Sequence, residues 1–181
     1  VLIEVSTGKV LFEKNADRPM PPASMSKMMT IYMLFERLRD GRLSLEDTFR
    51  VSKNAWRKGG ASSGSSTMFL LPGKRVKVED IIRGIIIQSG NDACIVIAEG
   101  LSGSEEAFAV EMTARGKEMG MTNSTFRNAT GWPHPEHLTT ARDLAILSQK
   151  LIKDFPEYYR YFSEKSFTYN GIKQNNRNPL L

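Results

Sequence analysis

Ser24-Met25-Ser26-Lys27-Met28-Met29-Thr30-Ile31-Tyr32-Met33-Leu34-Phe35-Glu36-Arg37-Leu38-Arg39 decides the fold. Met25, Met28, Met29, Tyr32, Met33 and Phe35 recur at three- and four-residue spacings, the repeat that lines side chains along one helical face. Met20-Pro21-Pro22 cannot lie inside a helix and Asp40-Gly41 stops one, so both ends are bounded. A methionine stripe of this kind reads as core packing rather than as an adaptable groove. Working outward, helices are predicted over 78–87, 92–101 and 105–119, the last capped by Ser104 with Glu105 and Glu106 in its first turn. Another starts at Thr140, whose Asp143 completes a capping-box pattern, and runs to about residue 153, ahead of Phe155-Pro156. Residues 1–5 and 9–12 read as a hairpin turning at Gly8, 166–169 alternates like a strand, and residues 175–181 close the chain with no strand or helix to finish the layer. Between 51 and 71 the pattern fades into Gly59-Gly60-Ala61-Ser62-Ser63-Gly64-Ser65-Ser66, a surface loop expected to border a site.

Length and composition narrow the class. A chain of 181 residues fits one domain, and 40% hydrophobic with 25% charged residues is the balance of a chain that folds around a core. Residues 81–98 are interrupted by Arg83, Gln88, Ser89, Asn91 and Asp92, so no segment is suited to span a bilayer. The net charge of +5 is modest, and the basic residues alternate with loop glycines and serines, which argues against nucleic acid as a partner. Cys94, the one cysteine, cannot form an internal disulfide and reads as a small buried hydrophobe. His134 and His137 lie among prolines that prevent a shared helical face, so they read as surface loop residues and no metal site is expected. Asn123-Ser124-Thr125 and Asn128-Ala129-Thr130 match the glycosylation pattern and carry no weight. Residues 1–5 read as a strand rather than a signal peptide, so any secretion signal is expected to be gone and the chain to begin partway into a fold.

Two short motifs can carry chemistry. Serine needs a base within hydrogen-bond reach, and a lysine three residues further along a helix shares its face. Ser24 and Lys27 have that spacing at a helix start, where free backbone N–H groups can meet an oxyanion. Alone the pattern is weak, because about one Ser-x-x-Lys is expected by chance in such a chain. Ser6-Thr7-Gly8-Lys9 is indeed a second copy, in the hairpin turn. Ser89-Gly90-Asn91, between two apolar helices, adds specificity: Ser-x-x-Lys, then Ser-x-Asn, then Lys-Thr-Gly is the chain order of penicillin-interacting serine enzymes, and the first two are present in order.

The chain resembles the D-alanyl-D-alanine carboxypeptidases, low-molecular-mass penicillin-binding proteins of bacterial cell walls. The likeness runs through Ser6-Thr7-Gly8-Lys9-Val10-Leu11, Pro22-Ala23-Ser24-Met25-Ser26-Lys27-Met28-Met29-Thr30, Leu71-Pro72-Gly73, Ile82-Arg83-Gly84, Gln88-Ser89-Gly90-Asn91-Asp92-Ala93 and Ala141-Arg142-Asp143-Leu144. It implies an α/β (α+β) fold of the DD-peptidase/β-lactamase type, a helical cluster packed on an antiparallel sheet. It implies Ser24 as the nucleophile, its N–H as half of an oxyanion hole, Lys27 as general base and Ser89 as a proton relay. Gly90 and Asn91 would hold the substrate peptide, and the 59–66 loop would act in deacylation. The implied substrate is a peptidoglycan pentapeptide ending in D-Ala-D-Ala, with β-lactams as covalent inhibitors, no metal or organic cofactor, and a site of action in the periplasm or on the outer face of the cytoplasmic membrane.

Lys-Thr-Gly does not occur, and Gly171-Ile172-Lys173-Gln174 reads as a decoy. The expectation is therefore one partial catalytic domain over 1–181, without the later strands, the second β-rich domain or the C-terminal amphipathic membrane helix of the family. Such a piece should be marginal, or completed by another chain, and should not turn over substrate by itself. Two alternatives stand beside the carboxypeptidase. One is a serine β-lactamase of the same fold, with Glu136 the only loop carboxylate to consider; the other is a non-catalytic peptidoglycan-binding module.

Overall fold

The computed structural model describes all 181 residues. Its centre is α1 (Lys27–Arg39), in which Met29, Ile31, Tyr32, Met33, Leu34 and Phe35 are all buried. A helix apolar most of the way round belongs inside a cluster, not on its surface. The turn before it, Ala23–Ser26, is 3-10 rather than α-helical, so the predicted helix starts three residues late as a regular helix.

A helix the sequence pattern missed, α2 (Lys53–Gly59), follows strand β3 (Thr48–Arg50), with Ser52 Oγ capping Ala55 N at 2.8 Å. Hairpin β1 (Leu2–Ile3)/β2 (Val10–Phe12) precedes α1 as expected, turning through Gly8 at φ +76°. β4 (Arg75–Lys77) pairs antiparallel with β3 and leads into α3 (Val78–Gln88), α4 (Asn91–Ser102) and α5 (Glu105–Glu118). Ser104 Oγ caps Ala107 N as predicted. Thr140 Oγ1 likewise caps Asp143 N at the head of α6 (Ala141–Asp154), but Asp143 turns its carboxylate to Asn123 N and Ser124 Oγ, so the capping box is one-sided. A single-turn helix α7 (Pro156–Tyr159) then leads to β5 (Ser166–Tyr169).

β5 pairs antiparallel with β6 (Ile172–Asn175), a strand that the sequence pattern did not predict, and residues 176–181 hold neither strand nor helix. The expected antiparallel sheet is present as three separate two-stranded ribbons. β5 and β6 pack on α3, and α4, buried from Asn91 through Ala98, fills the space between α2, α3 and α5. No helix is long and apolar enough to cross a membrane.

Candidate active site

Ser24 sits exposed on the 3-10 turn, and Lys27, the first residue of α1, is only 5% exposed. Lys27 Nζ lies 3.0 Å from Ser24 Oγ and 2.8 Å from the Thr130 carbonyl oxygen. No carboxylate pairs with it. Burial pushes the Lys27 ammonium below its ordinary value, and Arg177 adds repulsion. Burial likewise pushes the neighbouring Cys94 thiol up to about 12, so at neutral pH it is uncharged and offers no counter-charge. A nearly buried, unpaired lysine touching a hydroxyl is the arrangement that makes an amine a base near neutrality.

The turn that presents Ser24 is wedged in place by the loop between α5 and α6. Gly131, at φ +86°, lies so close that a Cβ there would fall 1.7 Å from Ala23 O and 3.1 Å from Ser24 N. Asn128 Oδ1 accepts from Gly131 N at 2.7 Å and from Trp132 N at 3.1 Å, which shapes the bend carrying Thr130 O. Glu105, 3% exposed at the head of α5, accepts from Ala129 N at 3.2 Å and pairs with Lys58. Met20 and Thr139 exchange backbone bonds of 2.8 and 2.9 Å, and Ser26 Oγ meets His137 Nε2 at 2.8 Å.

Asn128, to which the sequence assigned no role in the site, helps shape it. His137, expected on the surface, is 1% exposed against Phe126, and burial pushes its pKa down to about 4; its partner in the motif, His134, is exposed as expected. No cluster of three metal-ligating side chains occurs.

The second motif caps the opposite wall. Ser89, at φ +56°, ends α3, and a cleft of about 130 Å³ is lined by Ser24, Lys27, Met28, Ile85, Ser89 and Phe162 among others. Ser89 Oγ has no hydrogen-bond partner and so does not touch Ser24 or Lys27 directly. Gly90 and Asn91 do not line the cleft. Gly90 spends its N–H on Gly84 O at 2.9 Å, so it is a turn residue with no free donor. Asn91 donates through Nδ2 to Ser65 Oγ at 3.0 Å and through its backbone to Ser66 O at 2.8 Å, which ties the 59–66 loop to this motif; its Oδ1 is buried and unpartnered. That loop contains the end of α2 and a 3-10 turn (Ala61–Ser63), and Gly59 is so close to α4 that a Cβ would fall 2.4 Å from Asp92 N.

A larger hollow of about 620 Å³ shares Ile86 and Phe162 with the cleft and holds Arg160, Asn176 and Arg177. It contains no nucleophile–base pair, so the chemistry is assigned to the smaller cleft. Arg177 lines this larger hollow, and its charge adds to the lowering of the Lys27 value. No carboxylate lines the cleft; Glu136, the one weighed for a lactamase, is an exposed partner of Arg127 at 3.1 Å.

The sequence profile of the D-alanyl-D-alanine carboxypeptidases matches residues 1–181. The chain is 47% identical over 182 residues to D-alanyl-D-alanine carboxypeptidase DacC of Escherichia coli strain K12, covering 100% of this chain and 46% of the relative. It superposes on penicillin binding protein 6B from Escherichia coli with a TM-score of 0.93 at 37% identity, covering 98% of this chain and 56% of the other. Penicillin-Binding Protein D2 from Listeria monocytogenes, in its ampicillin-bound form, superposes at a TM-score of 0.83 and 29% identity, with 99% and 71% covered. The chain spans about half the length of the curated relatives it matches.

Proposed function

This chain belongs to the D-alanyl-D-alanine carboxypeptidase family, and from that premise we propose that the protein removes the terminal D-alanine from peptidoglycan stem pentapeptides, acting outside the cytoplasmic membrane. The observation that carries the proposal is the 3.0 Å contact between exposed Ser24 Oγ and buried Lys27 Nζ. Neutral Lys27 takes the Ser24 proton as Oγ attacks the carbonyl carbon of the penultimate D-alanine. The negative charge that develops on that carbonyl oxygen faces the N-terminal turn of α1, with the Ser24 N–H as one donor. When the C–N bond breaks, the proton passes to the leaving amine, leaving an ester on Ser24. Water then cleaves the ester, giving its proton back through the same base.

Ser89 is proposed to relay protons between the lysine and the leaving group, and Asn91 to accept a hydrogen bond from the substrate amide. Buried polar atoms without partners are rare, and two lie in this motif: Ser89 Oγ at the cleft and Asn91 Oδ1 two residues beyond it. Titratable groups suffice for this chemistry without a metal. β-Lactams would acylate the same oxygen, as the ampicillin-bound form of the Listeria protein named above supports for that protein.

The test is intact mass of the full-length protein before and after penicillin, followed by peptide mapping. A penicilloyl group on Ser24, with release of D-alanine from a pentapeptide, is the expected result. A stable protein with no adduct, or with one elsewhere, overturns the assignment.

A further inference from the structure

Seven of the 25 basic residues and none of the 20 acidic ones fall between Thr48 and Val78, so the remainder of the chain carries 18 basic against 20 acidic residues. The whole positive excess of the protein is thus concentrated on β3, α2, the 59–74 connection and β4. Two of the seven are neutralised, Lys58 by Glu105 and Lys77 by Glu46. Arg50, Lys53, Arg57, Lys74 and Arg75 are exposed and have no carboxylate partner within ion-pair distance.

Their placement is not that of scattered solvated charges. Arg50 stands directly opposite Arg75 across the β3–β4 ribbon, a like-charge cross-strand pair that is unfavourable unless an anion lies between. Lys74 follows at the point where the ribbon pairing runs on to Val51. Lys53 and Arg57 are one helical turn apart on α2, which buries Ala55 and Gly59 against α4 and so turns the two cations outward. Between α2 and the Pro72–Gly73 turn lie two hollows, of about 460 and 380 Å³. They share Lys53 and Pro72; Arg50 lines the first, Trp56 and Arg57 the second. Trp56 is 40% exposed there.

We propose that this groove binds an extended acidic glycan, the carboxylate-bearing polymer on which the carboxypeptidase acts, at a site separate from the Ser24 cleft. The naming of the polymer rests on the carboxypeptidase reading; the groove's chemistry does not. Arg50, Lys53 and Arg57, which line the groove, meet carboxylates spaced along the strand, with Lys74 and Arg75 adding charge from the ribbon beside it. The electron-rich face of the Trp56 indole packs against the polarised C–H groups of a sugar ring, as it would against a cation. Two adjoining hollows that share Lys53 and Pro72 fit a single strand laid across both. A flat membrane surface would instead call for several protruding apolar side chains, and only Trp56 and Leu71 are exposed here.

The experiment measures binding of full-length protein to soluble, uncrosslinked peptidoglycan strands, for wild type, for Arg50→Gln/Lys53→Gln/Arg57→Gln together, and for Trp56→Ala. The triple variant should bind the strands at least tenfold more weakly and lose most of the salt dependence, and Trp56→Ala should lose about fivefold. Both should keep penicillin acylation of Ser24 and hydrolysis of free pentapeptide at wild-type rates, which also certifies their folding. Unchanged strand binding in either variant overturns the proposal. So does equal or tighter binding of wild type to phosphatidylglycerol vesicles or single-stranded DNA, which would make the groove a site for another polyanion. If wild type fails to acylate yet binds the strands through these residues, the carboxypeptidase reading falls and the glycan groove stands.

Discussion

Lys27 Nζ lies 3.0 Å from Ser24 Oγ with no carboxylate to hold its charge. Burial lowers its pKa, which moves the amine toward the neutral form that the proposed role as proton acceptor requires. Lys27→Ala should therefore slow Ser24 acylation by penicillin by about three orders of magnitude, the size of a lost general base. In the wild type the acylation rate should climb as pH rises through the lowered lysine value, and that limb should vanish in the variant. Time-resolved intact mass across pH reads both, and a variant within tenfold of wild type would remove Lys27 from the role of base.

Gly131 makes a second, purely geometric demand. Its Cβ would overlap the Ala23 carbonyl at 1.7 Å, and backbone cannot step aside as a flexible side chain can. Gly131→Ala should displace the Ser24 turn and reduce acylation more than a hundredfold. Gly64, also at positive φ (+67°) but with nothing within 4 Å, is the control. Gly64→Ala should cost only about 1 kcal/mol of stability, the conformational penalty alone. Similar losses in both, followed by acylation rate and urea midpoint, would show that close approach to Ala23 is not what the glycine provides.

Much of this was legible in the chain, for identifiable reasons. α1, α3, α4, α5 and α6 announce themselves because strongly periodic apolar residues and caps such as Ser104 act locally. α2 did not, since Lys53-Asn54-Ala55-Trp56-Arg57-Lys58-Gly59 has one buried face of only Ala55 and Gly59, too narrow to register as a period. Ser24 and Lys27 were readable because their relationship is three residues long. Asn128 and Glu105 were not, because the 128–132 bend they shape meets the site only across the fold, 103 residues away for the Lys27–Thr130 bond. The turn before α1 shows the same limit: its close packing against Gly131 joins residues more than 100 positions apart.

His137 makes stability depend on acid. Buried beneath the Ser24 turn on Ser26, with Arg127 and His134 as its charged or titratable neighbours, it has a folded pKa of about 4 against an ordinary 6.5. The unfolded chain therefore takes up the proton first. The contribution is intact above pH 6.5 and is lost as pH falls toward 4, by on the order of 2 kcal/mol. His137→Gln keeps a donor for Ser26 Oγ without the titration, so the difference in urea midpoint between wild type and variant should narrow or reverse from pH 7 to 4.5. A constant difference over that range would mean that His137 keeps its proton affinity on folding.

Asp92 sets the last requirement, since it joins the second motif to the strand of residues behind the cleft. Fully buried, its carboxylate accepts from Thr67 Oγ1 at 2.8 Å, Met68 N at 2.9 Å, Leu70 N at 3.0 Å and Ala93 N at 3.0 Å. All four partners are donors, so an amide in its place must aim N–H groups at N–H groups. Asp92→Asn should cost about 3 kcal/mol, more than the roughly 1 kcal/mol of removing one donor by Thr67→Val. The loss should be felt next door, because Asn91 N donates to Ser66 O and Asn91 Nδ2 to Ser65 Oγ. Amide exchange at Met68 and Leu70 should accelerate with the fall in urea midpoint, and the Ser24 ester should be formed or hydrolysed more slowly. If Asp92→Asn lies within 1 kcal/mol of wild type and those amides stay protected, the carboxylate is not what fastens the 67–70 segment to α4.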